Sequence, residues 1–114
     1  MSNITTHVLD TAKGKPAGQV PVKLERLTPA GLYEVVGQGR TDDDGRCRTL
    51  VPKDKAIVEG VYRLIFDTGV YARDAGGEGF FPEVVITFDV RDAQQHYHVP
   101  LLLSPFGYST YRGS

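Results

Sequence analysis

Apolar and polar residues alternate with a period of two along most of this chain, and clusters of turn-forming residues cut the alternation into short pieces. In residues 20–27, Val20, Val22 and Leu24 fall on one side and Lys23 and Glu25 on the other, the pattern of a half-buried strand. The same criterion predicts strands at 5–9, 20–27, 32–38, 46–51, 61–67, 84–90, 96–103 and 108–112. Residues 10–18, rich in Gly, Lys and Pro, read as a loop. Thr28-Pro29-Ala30-Gly31 reads as a hairpin turn, Thr41-Asp42-Asp43-Asp44-Gly45 as a second turn, and Pro52 ends the run at 46–51. In 61–67 the rows Val61/Arg63/Ile65 and Tyr62/Leu64/Phe66 are both largely apolar, so this strand is expected to be central. Residues 68–76 are the only helical candidate, roughly two turns long, with Gly76-Gly77 as its stop. About eight short strands and one short helix predict an all-β, antiparallel β-sandwich.

With 114 residues, the chain is expected to form a single domain over 1–114, which buries roughly two-thirds of its unfolded surface. The 13 basic and 14 acidic residues leave a net charge of -1 with no long run of either sign. That balance offers no footprint for nucleic acid or an anionic membrane and favours a small molecule or a protein partner. The single cysteine, Cys47, excludes an intrachain disulfide framework. Lying beside two arginines in a strand-like stretch, it reads as a passive small residue rather than a nucleophile. Residues 1–6 show neither a basic segment nor an apolar core, Arg112-Gly113-Ser114 is not a peroxisomal tripeptide, and no apolar stretch approaches the ~20 residues of a membrane helix. A cytoplasmic protein is the expectation.

The chemistry concentrates in two strands. In 96–103, Tyr97, Val99, Leu101 and Leu103 form a core face, while His96, His98, Pro100 and Leu102 face the other way. In 5–9, Thr6 and Val8 oppose Thr5, His7 and Leu9. All three histidines therefore lie in predicted strands, and histidine is the side chain best suited to move protons near neutral pH. Hydrogen-bonded structural histidines are the plain alternative. A metal site is a second one, but no carboxylate or cysteine stands at ligand spacing, so no metal is expected. Arg46 follows three aspartates that can screen it in solvent; opening a strand, it can also present a rigid donor fork to an anionic substrate. The last residues, 108–114, have strand propensity rather than the looseness of a tail, with Ser109 and Tyr111 on one face.

At these residues the chain resembles the transthyretin-like (prealbumin-like) family, and within it the 5-hydroxyisourate hydrolases. The resemblance runs through Thr6-His7-Val8-Leu9-Asp10, Gly14-Lys15-Pro16-Ala17, Thr41-Asp42-Asp43-Asp44-Gly45-Arg46, Gly60-Val61-Tyr62-Arg63 and Phe80-Phe81-Pro82-Glu83. Its most specific markers are His96-Tyr97-His98-Val99-Pro100-Leu101-Leu102-Leu103-Ser104-Pro105 and the terminal Tyr111-Arg112-Gly113-Ser114. The resemblance implies two four-stranded sheets per subunit and a homotetramer, a dimer of dimers whose interface channel holds the active sites. It implies hydrolysis of 5-hydroxyisourate to 2-oxo-4-hydroxy-4-carboxy-5-ureidoimidazoline in urate degradation, with no cofactor. His7, Arg46 and His98 would be catalytic, one histidine as base and the other as proton donor or orienter. Ser109, Tyr111, Arg112, Gly113 and Ser114 would join His7 and Arg46 in holding substrate, with His96 no closer than a supporting position. Two other readings compete: a hormone carrier, which needs a roomy apolar channel, and a purely structural sandwich module. Two histidines, an arginine and Tyr111 argue against the first, and the paired polar strand faces against the second.

Overall fold

A computed structural model describes residues 3–114 of the chain; the reading of residues 1–6 as lacking a leader falls in part, at Met1 and Ser2, outside the described residues. The elements follow as β1 (Ile4–Asp10), β2 (Lys15–Pro16), β3 (Pro21–Leu27), β4 (Tyr33–Arg40), β5 (Gly60–Phe66), α1 (Thr68–Asp74), β6 (Val84–Val90), β7 (Tyr97–Ser104) and β8 (Gly107–Thr110). They build two four-stranded sheets, ordered β2-β1-β7-β8 and β4-β3-β5-β6. This is the expected sandwich, with β5 inside its sheet as its two apolar faces require. Asp67 caps α1 by accepting from the Val70 N–H at 3.1 Å, and Gly76, at φ +76°, stands just beyond its end. No helix among the described residues is long and apolar enough to cross a membrane.

The core settles which way each strand faces. Ile4 and Val8 of β1 meet Tyr97, Val99 and Leu101 of β7, and all are buried against Val22, Leu24, Tyr62, Leu64 and Phe66 from the other sheet. Each such side chain contributes roughly 1.5–3 kcal/mol, and a one-residue slip of either strand would turn its whole set to solvent. Thr6 is buried in the same layer and is satisfied by donating to the Val99 carbonyl at 2.7 Å.

Three local expectations change. The pairing of β1 with β7 is parallel, from Ile4↔Tyr97 to Asp10↔Leu103, while the other pairs are antiparallel. The chain between these two strands passes through the second sheet, so no tight turn forces them antiparallel. Within the expected loop at 10–18, Lys15 and Pro16 form a two-residue edge strand on Leu9 and Asp10. The strand expected at 46–51 does not form. Asp42 Oδ1 accepts the backbone N–H groups of Asp44 at 2.9 Å and Arg46 at 3.1 Å, which keeps the chain curled, and Arg46 makes a single bridge to His7. Cys47, Leu50 and Val51 are nonetheless buried, plugging the core at a spacing that no ladder imposes.

Gly45 joins this turn to β1. Its φ is +79°, the Val8 N–H donates to its carbonyl at 2.8 Å, and a Cβ there would lie 2.3 Å from the Val8 carbonyl oxygen. Gly45→Ala is therefore expected to cost roughly 1–3 kcal/mol through backbone strain and to push the turn off β1. Urea unfolding measures the loss, and an unchanged midpoint would show that the turn accepts a side chain.

Candidate active site

The outer face of the sheet β2-β1-β7-β8 presents Thr5, His7 and Leu9 from β1 and His98, Pro100 and Leu102 from β7. The parallel register sets Thr5 directly opposite His98 and His7 opposite Pro100, so the two histidines are diagonal neighbours across adjacent strands. On the far side of β1, the His7↔Arg46 bridge adds Arg46 to the row. Thr5, Arg46, Arg48, His96, His98 and Ser114 line an open recess of about 360 Å³. His7 stands on β1 beside that recess rather than in its lining.

The hydrogen bonds constrain where the protons sit. His7 Nε2 lies 2.7 Å from the Asp44 carbonyl oxygen. A carbonyl only accepts, so His7 carries a proton on Nε2 and leaves Nδ1 to meet a ligand. His98 Nδ1 lies 2.8 Å from Thr5 Oγ1. Burial of the His98 imidazole, followed by the nearby charges of Arg46, His7 and His96, holds its pKa below the ordinary histidine value. His98 is thus neutral near pH 7, with basic capacity in a cationic setting.

Arg46 owes its availability to its neighbour. Arg48 Nε pairs with Asp42 at 2.9 Å and Arg48 Nη2 with Asp44 at 3.4 Å. Bonds from the Arg46 backbone N–H, and then from Arg48 and the Asp44 N–H, hold the Asp42 carboxyl below its usual value against a partial opposing effect of desolvation. Such exposed pairs add little stability, but they occupy two of the three carboxylates that could have screened Arg46. Among the described residues the Arg46 guanidinium has no ion pair. Cys47, which also lines the recess, has its thiol pushed up by burial, so it stays protonated near neutral pH and is a poor nucleophile. Among the described residues no group of three or more His, Cys, Asp or Glu is placed to hold a metal ion.

The C-terminal candidates separate. Strand β8 ends at Thr110, two residues earlier than expected. Both the His98 and Pro100 carbonyls accept from the terminal segment, at 2.8 Å from the Gly113 N–H and 2.6 Å from Thr110 Oγ1. Pro100 has no N–H to donate on that side, and there residues 111–112 leave the ladder. Tyr111 consequently lies in a different recess with Ile86, Phe88 and Tyr97. The Arg112 guanidinium sits 4.5 Å over the Tyr97 ring and donates to Gln95 Oε1 at 3.1 Å. Gly113 returns to β7 and Ser114 reaches the recess. Ser109 pairs opposite Leu102, on the histidine face but four positions from His98, about 13 Å at ~3.3 Å per residue. The sequence reading missed Thr5 and Arg48. The run of aspartates followed by two arginines was a visible signal for Arg48, whereas Thr5 acquires its place only through the parallel register.

Gly113 approaches His98 so closely that a Cβ would lie 2.6 Å from His98 Cδ2. Gly113→Ala is expected to displace the His98 ring, seen as shifted His98 ring resonances in NMR with those of His7 unmoved. Unchanged His98 resonances would show slack at this contact.

Known proteins resemble this chain over nearly its whole length. The sequence profile of the HIUase/Transthyretin family matches residues 4–113. The 5-hydroxyisourate hydrolase of Salmonella typhi is 48% identical over 114 residues, spanning 99% of this chain and 82% of that protein. Sea bream transthyretin, solved in complex with thyroxine, superposes with a TM-score of 0.91 at 34% identity, covering 98% of this chain and 95% of its own. The 5-hydroxyisourate hydrolase of Klebsiella pneumoniae superposes with a TM-score of 0.83 at 36% identity, covering 100% of this chain and 94% of its own.

Proposed function

The chain belongs to the HIUase/Transthyretin family and is a hydrolase of 5-hydroxyisourate, and we propose that it works with His98 as base, Arg46 as oxyanion clamp and His7 as proton donor. The observation that carries this assignment is a half-buried, neutral His98 beside an Arg46 that has no ion pair among the described residues, with Asp42 and Asp44 of the adjoining turn paired to Arg48. His98 takes a proton from water as the water oxygen adds to the ring carbonyl carbon. The electron pair displaced onto the carbonyl oxygen forms an oxyanion, which the planar Arg46 guanidinium meets with paired N–H donors. Collapse re-forms the carbonyl and breaks the carbon–nitrogen bond. The leaving nitrogen takes a proton from Nδ1 of protonated His7, whose Nε2–H is anchored on Asp44. Solvent then carries the proton from His98 back to His7. No step requires a cofactor.

The backbone superposes on a thyroxine-bound carrier as well as on a hydrolase, so the fold does not choose between carriage and hydrolysis. The recess does: arginines and histidines line it, whereas an apolar ligand calls for apolar walls.

We further propose that the working unit is a homotetramer with its active sites at the dimer–dimer interface. Support comes from the candidates that lie apart within one subunit: Ser109 is far along the face, and Tyr111 is in another recess. A second histidine-bearing sheet, related by a two-fold axis, would close the open recess and bring its own terminal residues over it. The end strands β6 and β8 are sheet edges, and their partly exposed Val85 and Tyr108 suit further pairing between subunits. Ser109, Tyr111, Arg112, Gly113 and Ser114 are then substrate-holding or pocket-shaping residues contributed across that interface or from behind it.

His98→Asn and His7→Asn are each expected to lower kcat by roughly 10²–10⁴-fold in an ultraviolet assay on freshly made substrate. Because the neutral form of His98 is the active one, kcat/KM should fall on the acid side, below the ordinary histidine value of 6.5. Arg46→Gln removes a neighbouring charge and should move that limb upward, whereas Arg46→Lys should leave it in place while losing much of kcat/KM. A limb that ignores the charge at position 46 would remove His98 as the base. Light scattering should give about four times the 12.5 kDa chain mass, and a chain stopping at Thr110 should remain tetrameric but lose most of its activity. An active monomer, or a fully active truncated tetramer, would refute the interface assignment.

A further inference from the structure

We propose that Thr5 is a positioning residue that holds His98 as the Nδ1–H tautomer, its hydroxyl joining the His96 and His98 imidazoles into one ordered hydrogen-bond chain. This rests on the reading of His98 as the base and adds to it the group that decides which nitrogen is basic. Thr5 Oγ1 lies 2.8 Å from His98 Nδ1 and 2.9 Å from His96 Nε2. The two rings are near parallel, with centroids 6.5 Å apart and planes 20° from each other, so one hydroxyl on the neighbouring strand spans both. A hydroxyl has one proton to give, so it cannot donate to both nitrogens, and at least one imidazole must donate to it.

Two orders with neutral rings use the hydroxyl proton between the two imidazoles; where both imidazoles instead donate to Oγ1, His98 Nδ1 is again the protonated nitrogen. In one, Thr5 donates to His98 Nδ1, and the proton of His98 then sits on Nε2, where it blocks attack on a water O–H. In the other, His98 Nδ1–H donates to Thr5, Thr5 donates to His96 Nε2, and the lone pair of His98 Nε2 is free. Of these two, only the second makes His98 a base. His96 completes it as an acceptor, which accounts for a second imidazole on this strand face without giving it contact with substrate. The backbone supports the arrangement from both sides: the register places Thr5 opposite His98, and Gly113 packs against the Cδ2 edge of the ring. The charged and titratable groups facing His98 are Arg46, His7 and His96, with Arg48 in the same recess. None of them bonds to Nδ1, so among the described residues Thr5 alone directs that nitrogen.

The test is nitrogen-15 NMR of histidine-labelled protein without substrate, together with steady-state kinetics of Thr5→Val and Thr5→Ser. In the wild-type protein above its acid limb, His98 should show a protonated Nδ1 and an unprotonated Nε2. Thr5→Val keeps the branched shape suited to a strand but has no hydroxyl. It should mix the two tautomers and lower kcat about 10- to 10³-fold, short of the ~10⁴ known for a fully misdirected catalytic histidine, with KM little changed. Thr5→Ser should restore most of kcat and the wild-type tautomer. A wild-type His98 carrying its proton on Nε2 would overturn the proposal without need of any variant, as would a Thr5→Val enzyme with wild-type kcat. Full activity in His98→Asn would instead overturn the assignment of the base, whatever tautomer the ring adopts.

Discussion

Almost every feature of the candidate site follows from the parallel pairing of β1 with β7, two strands that lie some ninety residues apart in the chain, as the Thr5–His98 bond at a separation of 93 shows. The inner faces hold the register: Ile4, Thr6 and Val8 interleave with Tyr97, Val99 and Leu101, and none of these side chains can be moved to solvent without opening the core. Since successive side chains alternate, a register locked on the inside is locked on the outside too. Thr5 then has no choice but to meet His98, and His7 lies one step diagonal to it. The hydrophobic effect thus aligns the polar groups, although it acts on none of them directly.

The second contribution is electrostatic and comes from a turn. Asp42 gathers two backbone N–H groups and the Arg48 guanidinium, and Asp44 both pairs with Arg48 and lends its carbonyl to His7. One short acidic turn therefore ties two of its three carboxylates to one arginine, leaves the other with no ion pair among the described residues, and fixes a proton on a histidine. The same cationic surroundings that would attract an anionic, carbonyl-rich ligand also disfavour a charge on His98. On the proposed mechanism, substrate attraction and base neutrality arise from a single arrangement of charge, which pairs an oxyanion clamp with a general base.

The backbone itself is neutral on function. It superposes on a thyroxine-bound transthyretin at a TM-score of 0.91 and on a hydrolase at 0.83, so the sandwich is a scaffold on which outward-facing side chains make the difference. The path of the last residues shows how small the local determinants are. The missing N–H of Pro100 releases residues 111–112 from the ladder, and the missing side chain of Gly113 lets the chain return against His98.

Much of this was legible in the amino-acid order, because burial repeats with the period of the local backbone. Alternation identified the buried and outward rows of β1, β3, β5 and β7 and the centrality of β5, and turn-forming residues marked the turn at 41–45 and the helix stop at Gly76. It also put His7, His96 and His98 on outward faces, and the terminal motifs pointed to the family. Pairing is a different matter, since it is a contact between segments distant in the chain and leaves no periodic mark. The parallel direction of β1 and β7, the meeting of Thr5 with two imidazoles and the escape of Tyr111 to another recess came only with the folded sheets. So did the loss of the strand at 46–51, whose first N–H, that of Arg46, is taken by the Asp42 carboxylate. The one-dimensional pattern states which side chains must leave water; which of the remaining polar groups touch one another is decided by the register that this burial imposes.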